Sequence, residues 1–358
     1  MATTETRSEA PHRRGLLAPE PIAGLSAVVT GGSRGLGLLI AAELADQGCA
    51  VTIAARDAGE LDRAAGSLRE RHPGARVRTA VCDVRDAAQV AALLDGAAEA
   101  HGCVDIVVAN AGVIQVGPAE AVGENGFRDA MDTIFDGSLH TCLAALPHLR
   151  RSAAGGRLAL IGSVGGLLGV PHLLPYSCAK SAVAVLAEGL HAEEGGRGVT
   201  VTAVHPGLMR TGSHLHAEFG GRQEQEFAWF SAVAGTPLVS MDAERAAARI
   251  VRGIRRRRPR IVLTPAAKAA DLAHGLAPVT TTRLSGAMAR ALPGAPGVPA
   301  SGADPAGAGG DRREGADVRR PAAGHPWGAR LRAWGSALND RAARRFNETP
   351  RRSRPGES

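Results

Sequence analysis

Aromatic side chains make up only 3% of this 358-residue chain, with three tryptophans, six phenylalanines and a single tyrosine. Set against abundant Ala, Gly, Val and Leu, that poverty suits a close-packed protein of helices and sheet. Cysteine is scarce and unpatterned. Cys49, Cys82, Cys103, Cys142 and Cys178 are odd in number, far apart and outside any C-x-x-C or Cys/His spacing. This argues against a disulfide framework or a zinc site and fits a reducing, cytoplasmic compartment. No run of eighteen apolar residues occurs, so no segment is expected to span a membrane. Residues 1–21 lack an apolar stretch, which excludes an ordinary secretory signal and reads as a disordered tail. Lysine is nearly missing, with two among 42 Lys+Arg. The net charge of +7 hints at nucleic acid, but from Pro265 onward stand 15 Lys+Arg against 8 Asp+Glu, which leaves the first 264 residues neutral. The body therefore has no basic footprint for nucleic acid.

Short apolar runs are present at Ala27–Thr30, Ala50–Ala54, Val77–Val81, Ile106–Ala109, Leu158–Ile161, Val199–Val204 and Arg260–Leu263, separated by amphipathic helical patterns. Continuously apolar strands alternating with helices imply a parallel sheet covered on both faces, a doubly wound α/β fold over residues 22–264. A helical extension is expected over 265–290. The stretch 291–325 is rich in Pro, Gly, Ala, Asp and Arg with almost no bulky apolar side chains, and reads as a disordered linker. Trp327, Leu331, Trp334, Leu338, Ala342 and Phe346 then recur at three- and four-residue steps, which predicts an amphipathic helix over 326–347 before a disordered tail, 348–358. With Arg330, Arg341, Arg344 and Arg345 opposite, this helix is expected to dock on the body or on a sister subunit; a membrane surface is the alternative. The run Arg255–Arg258 reads as a solvated helix end, His205 as structural, and no metal site is evident.

After the first strand comes Thr30-Gly31-Gly32-Ser33-Arg34-Gly35-Leu36-Gly37 and then an apolar helix. Glycines at a strand-to-helix turn let backbone N–H groups approach a pyrophosphate, and the helix N-terminus adds favourable positive potential. The second strand ends in Ala55-Arg56-Asp57. Free ribose hydroxyls call for an acid at that strand tip and a 2′-phosphate calls for arginine, so Arg56 with Arg34 points to NADP(H). Polar groups at the ends of later strands, Cys82-Asp83-Val84, Asn110-Ala111-Gly112, Gly162-Ser163 and His205-Pro206-Gly207, are expected to face the cofactor. Four residues separate Tyr176 from Lys180, so on a helix they share a face. A nearby ammonium can lower a phenol pKa by about one to three units, giving a proton donor and acceptor usable near neutrality.

Taken in order and spacing, the glycine turn, Asp83, Asn110-Ala111-Gly112, Ser163, Tyr176-x-x-x-Lys180 and Pro206-Gly207 resemble the short-chain dehydrogenase/reductase family over about residues 22–264. The resemblance implies that Tyr176 exchanges the proton, Ser163 orients the substrate carbonyl or hydroxyl, and Lys180 holds the nicotinamide ribose and lowers the tyrosine pKa. Cofactor contacts are implied for Gly31, Ser33, Arg34, Gly35, Leu36, Gly37, Arg56, Asp83, Val84, Asn110, Gly112, Tyr176, Lys180, Pro206 and Thr211, with Asp83 at the adenine and Thr211 near the carboxamide. A homodimer or homotetramer acting on a small carbonyl or alcohol is implied too. One position departs from the family. Where an asparagine normally helps hold a relay water, this chain has Ile134. Because a backbone carbonyl can hold that water, an active enzyme is still expected; a non-catalytic NADP(H)-sensing protein is the alternative. Between Thr211 and Ser240, Phe219, Phe227, Trp229 and Phe230 concentrate where the family builds its substrate lid. They either contact an apolar substrate or pack on the body.

Overall fold

The computed structural model describes residues 18–235, 240–293, 312–318 and 345–348. Seven strands, β1 Ser26–Thr30, β2 Ala50–Ala55, β3 Val77–Val81, β4 Ile106–Ala109, β5 Gly156–Ile161, β6 Val199–His205 and β7 Arg260–Val262, form one sheet in the order β7-β6-β5-β4-β1-β2-β3. Every pairing in it is parallel. The helices are α1 Gly35–Asp46, α2 Ala58–Arg71, α3 Ala87–His101, α4 Ala119–Ala130, α5 Gly137–Arg150, α6 Leu174–Glu194, α7 Gln223–Gly235, α8 Ala243–Arg255, α9 Pro265–Leu276 and α10 Pro278–Ala289. Successive strand residues point to opposite faces, so a strand that reads as one apolar run feeds two cores. Val29, Val51, Ile53 and Val108 pack with α1, α2 and α8, whereas Val28, Val107, Leu158 and Leu160 pack with α3, α5 and α6. The fold is the doubly wound one expected.

From β1 the chain runs outward to β3 and then returns to β4 on the other side of β1. The strand order reverses there, and the carboxyl ends of β1 and β4 diverge to open a crevice. Side chains close the N-termini of some of the helices around the sheet and not of others. Asp57, Asp86, Asp242 and Thr264 each accept a backbone N–H in the first turn of α2, α3, α8 and α9. At α1 the cap residue is Arg34, which supplies no side-chain acceptor. The first-turn donors of α1 are left for something other than a cap.

Several boundaries differ from those read in the sequence. The last residues of the N-terminal tail belong to the body: Glu20 pairs with Arg157 at 2.5 Å and with Arg257 at 3.0 Å. Arg257 is not a solvated helix end. Its guanidinium also donates to Ala154 O at 2.7 Å and Thr200 Oγ1 at 3.2 Å, so this arginine ties the starts of β5 and β6 to the N-terminal segment. Residues 312–318 lie inside the stretch read as a linker, yet Arg313–Glu314 pairs antiparallel with Glu218–Phe219, and Gly315 N donates to Ala217 O at 2.9 Å. Backbone pairing of this kind needs no bulky side chain, which is why composition missed it. Glu348, placed in the disordered tail, is buried. Of the C-terminal apolar stripe only Phe346 is described, and it is buried against the α1, α2 and α8 core; Trp327, Leu331, Trp334, Leu338 and Ala342 lie outside the described residues. Among the described residues no helix is long and apolar enough to cross a membrane, and no cluster could hold a metal ion.

Candidate active site

A cleft of about 360 Å³ lies over the carboxyl ends of β1 to β6. Gly31, Ser33, Arg34, Gly35, Leu36, Gly37, Arg56, Asp83, Val84, Asn110, Gly112, Ser163, Tyr176, Pro206 and Thr211 all line it. The glycine turn is tight by necessity. Gly31 has φ +63, and a Cβ there would come within 2.8 Å of Ala111 Cα; one on Gly37 would collide with the Gly31 carbonyl. Asn110 locks this turn rather than presenting its amide to the cleft. Its Nδ2 donates to Thr30 O and to Gly31 O, both at 3.1 Å, while its N–H donates to Thr30 Oγ1 at 3.1 Å.

At the far end of the cleft, Ser163 ends β5 and its Oγ accepts Gly165 N–H at 3.1 Å. The Tyr176 phenol is hydrogen-bonded to Ser163. One turn along α6, Lys180 is 5% exposed, and its Nζ donates to Ile161 O at 2.6 Å and lies 5.7 Å from the centre of the Tyr176 ring. Helical spacing has thus brought phenol, hydroxyl and ammonium to one point.

The electrostatics depart from the expected pattern. Burial pushes the Tyr176 phenol above its ordinary value, and the Ser163 hydrogen bond offsets this only in part. Burial also pushes Lys180 down, to about 8. This shift makes a stability prediction. Between about pH 8 and 10.5 the unfolded chain holds a proton on this amine that the folded chain has released, so folding gains stability as pH rises through that window, by up to about 3 kcal/mol. Denaturant melts of the natural chain and of Lys180→Met should show the natural chain gaining relative to the variant over this range. A constant difference would mean the amine is solvated.

At the cofactor end, Arg34 and Arg56 line the same cleft but are in different states. Arg56 stands exposed at the tip of β2, close enough to lower the Asp83 carboxyl, which is held down chiefly by its own hydrogen bond from Arg85. Arg34 is engaged: it pairs with Glu60 at 3.0 Å, reaches Glu348 at 3.6 Å and contacts His216 Nδ1 at 3.2 Å. Sequence reading missed all three partners. Glu60 was findable, since Asp57-x-x-Glu60 has the spacing of a capping box, and Glu60 also accepts from Ser33 Oγ at 2.9 Å. Nothing local pointed to His216 or Glu348, which reach the cleft from distant parts of the chain.

The lid aromatics do not line the cleft among its described walls. Phe219 packs on Phe227 at 5.4 Å and on Phe230 at 6.1 Å between ring centres, and Trp229 packs on Phe230 at 5.9 Å. Buried Glu226 joins the lid to the loop before Tyr176, pairing with His172 at 2.9 Å and accepting from Trp229 Nε1 at 2.5 Å. These rings build the lid's own core. The apolar walls of the cleft near Tyr176 are Val113, Ile114, Ile161 and Met209 instead. His205 is fully buried, and burial pushes it down to about 4, so it sits neutral in the core beside Gly162.

Comparison with known proteins agrees with this architecture. The chain is 36% identical over 191 residues to a Streptomyces violaceoruber protein that carries the name of ketoacyl reductase 1 of granaticin polyketide synthase, covering 52% of this chain and 68% of that one. It is 36% identical over 192 residues to L-fucose dehydrogenase of Oryctolagus cuniculus, covering 53% and 64% respectively. Among solved structures, the NADPH-bound short-chain oxidoreductase of Pseudomonas aeruginosa PAO1, described as containing an atypical catalytic center, superposes with a TM-score of 0.61 at 29% identity, over 68% of this chain and 97% of that one. The family model for short chain dehydrogenases matches residues 26–218. With that match over more than half its length and the same seven-stranded sheet beneath the site, this chain belongs to the short-chain dehydrogenase family.

Proposed function

We propose that the protein is an NADP(H)-dependent oxidoreductase that interconverts a ketone or aldehyde and the corresponding alcohol, with Tyr176 exchanging the proton. The observation that carries this reading is the convergence of the Tyr176 phenol, Ser163 and buried Lys180 at one end of the cleft whose other end is the uncapped first turn of α1. The residues present fit a dinucleotide. The close-approach glycines at residues 31–37 and a helix N-terminus without a side-chain cap suit a pyrophosphate. Ala55 at the β2 tip and Arg56 beside it suit a 2′-phosphate, and the nearest acid, Asp57, is engaged in accepting Glu60 N–H at 2.6 Å. Asp83 and Val84 would border the adenine, Gly112, Lys180 and Tyr176 the nicotinamide ribose, and Pro206 and Thr211 the carboxamide. When bound, NADP(H) supplies or accepts the hydride.

The chain's own residues handle the proton. Ser163 orients the substrate oxygen toward the Tyr176 phenol, which gives up its proton as the oxygen becomes an alkoxide and takes it back in the reverse direction. The raised phenol pKa keeps the proton on tyrosine until a substrate oxygen needs it. Mixed walls of Val113, Ile114, Met209, Thr133 and Ser213 accommodate a partly apolar substrate. The names of the relatives span sugar and ketoacyl chemistry, which fits a carbonyl or secondary alcohol as the shared group. A screen of NADPH oxidation against ketones and aldehydes, with alcohols and NADP⁺ in reverse, should find turnover.

A second reading, binding without turnover, is favoured by Ile134. Its side chain is fully buried; a Cβ on Gly112 would lie 3.5 Å from Ile134 Cγ1 and 3.7 Å from Lys180 Nζ. A relay water held by the Ile134 carbonyl, which accepts from Ser138 Oγ at 2.6 Å, would not need an asparagine side chain at this position. Ile134→Asn is therefore expected to change the rate by less than about tenfold, or 1.4 kcal/mol. A much larger gain in steady-state turnover, in a variant that melts normally, would favour the binding-only reading.

A further inference from the structure

The first turn of α1 is not empty of partners. Gly35 N, an N-terminal donor of that helix, bonds to the carbonyl of Phe346 at 3.0 Å. Asn347, in the left-handed region at φ +60, donates from Nδ2 to Ser33 O at 2.9 Å and to Glu60 O at 3.3 Å, and its Oδ1 accepts from Arg63 Nε at 3.3 Å. Glu348 follows. Its carbonyl oxygen is 2.6 Å from His216 Nε2, and its carboxylate lies against Gly35 and 3.6 Å from Arg34 Nε. Phe346 anchors the segment by burying its ring in the α1, α2 and α8 core, and Arg345 pairs with Glu244 at 2.9 Å. Glu348 is 3% exposed and lines the cleft among the same residues that suit the dinucleotide. The Phe346 carbonyl on Gly35 N–H and the Glu348 carboxyl group beside Arg34 place oxygens where a pyrophosphate would bring its own.

We propose that the glycine turn is also the docking site for the chain's own C-terminal segment, Arg345–Glu348, and that this segment competes with the dinucleotide. The proposal rests on the reading of that turn as the cofactor site. Steric exclusion is direct, because Gly35 N–H and the space beside Arg34 cannot serve both occupants. Cofactor binding to the full chain then requires the segment to leave, so the apparent affinity is reduced by the fraction of molecules in the open state.

Burial pushes the Glu348 carboxyl up to about 8, with Arg34 opposing and Glu60 reinforcing the shift. His216, held down by burial and by Arg34, and Glu314 near it complete the charged groups around the segment. A raised pKa in the docked state means that docking takes up a proton. Docking therefore weakens as pH rises from the ordinary carboxyl range to about 8, which gives the competition a pH dependence of defined sign.

The test uses the full chain and its Asn347→Ala/Glu348→Ala form, which alters no residue assigned to the cofactor or to the chemistry. NADPH and NADH affinities are measured by fluorescence titration, and NADPH association by stopped flow. The double variant is expected to bind both dinucleotides about tenfold tighter, since the pyrophosphate turn is common to them. Its association rate should rise linearly with NADPH, whereas that of the natural chain should level off at the rate of segment release. The affinity gap should be narrower at about pH 8.5 than at about pH 7. Should the double variant melt abnormally, Glu348→Gln gives an independent reading: its amide imitates the protonated docked carboxyl, so the variant should lose the gain in NADPH affinity between about pH 7 and 8.5 that the natural chain shows, and the same pH dependence in both would count against the competition. Equal affinities and equal, linear association in both forms would overturn the competition while leaving the cofactor assignment intact. Failure of either form to bind any dinucleotide would instead overturn the assignment on which the proposal rests.

Discussion

Replacing Tyr176 by phenylalanine is expected to lower turnover by roughly two to four orders of magnitude while leaving NADPH affinity little changed. The ring stays, so its packing beside Gly165 and the α6 geometry are preserved; what goes is the hydroxyl bonded to Ser163. Steady-state kinetics with the best substrate of the carbonyl screen, read beside a fluorescence titration of NADPH, separates the two effects. Turnover within about tenfold of the natural chain would remove Tyr176 from the chemistry. Lys180→Arg is expected to fail as well, for a steric reason added to the electronic one. The Nζ sits in a buried slot against Ile161 O, with Gly112 and Ile134 close by, and a planar guanidinium with five donors has neither the room nor the acceptors there.

The second large effect concerns the choice of dinucleotide. The natural chain should prefer NADPH over NADH by well more than tenfold, above about 1.4 kcal/mol. Arg56 is expected to carry most of this, because Arg34 is shared between Glu60 and His216 whereas Arg56 is exposed to the cleft. A charge-assisted hydrogen bond contributes about 1.5 to 3 kcal/mol, so Arg56→Asp should lose roughly ten- to a hundredfold in NADPH affinity and add repulsion of the 2′-phosphate. NADH, which lacks that group, should be bound about as well or better by an acid at the strand tip. Docking of the C-terminal segment acts on the shared pyrophosphate turn and leaves this ratio alone. Equal affinities of the natural chain for the two dinucleotides would defeat the assignment.

The sheet was legible in the sequence nearly to the residue. Each of the seven strands begins and ends within two residues of its expected run, and for the five inner strands the reason is that a strand buried on both faces writes its core directly into consecutive positions. The residues around the cleft were legible for a related reason. Gly31 to Gly37, Asp83, Asn110, Ser163, Tyr176 and Pro206 stand at strand ends or one helical turn apart, and a parallel sheet delivers all its carboxyl ends to one crevice. What tertiary structure alone decided depends on contacts between segments far apart in the chain. Asn110 turned out to brace the glycine turn, and the aromatics between Phe219 and Phe230 to pack on one another, because the nearest acceptors and the nearest rings, not residue type, set their partners. Burial, which no spacing reveals, set the directions of the Tyr176 and Lys180 shifts against the simple pairing of phenol and ammonium. Phe346, Asn347 and Glu348 lie more than 300 residues from the turn they cover, and a backbone hydrogen bond, the Asn347 amide and the buried Phe346 ring hold them there, so only the folded chain could bring them to Gly35.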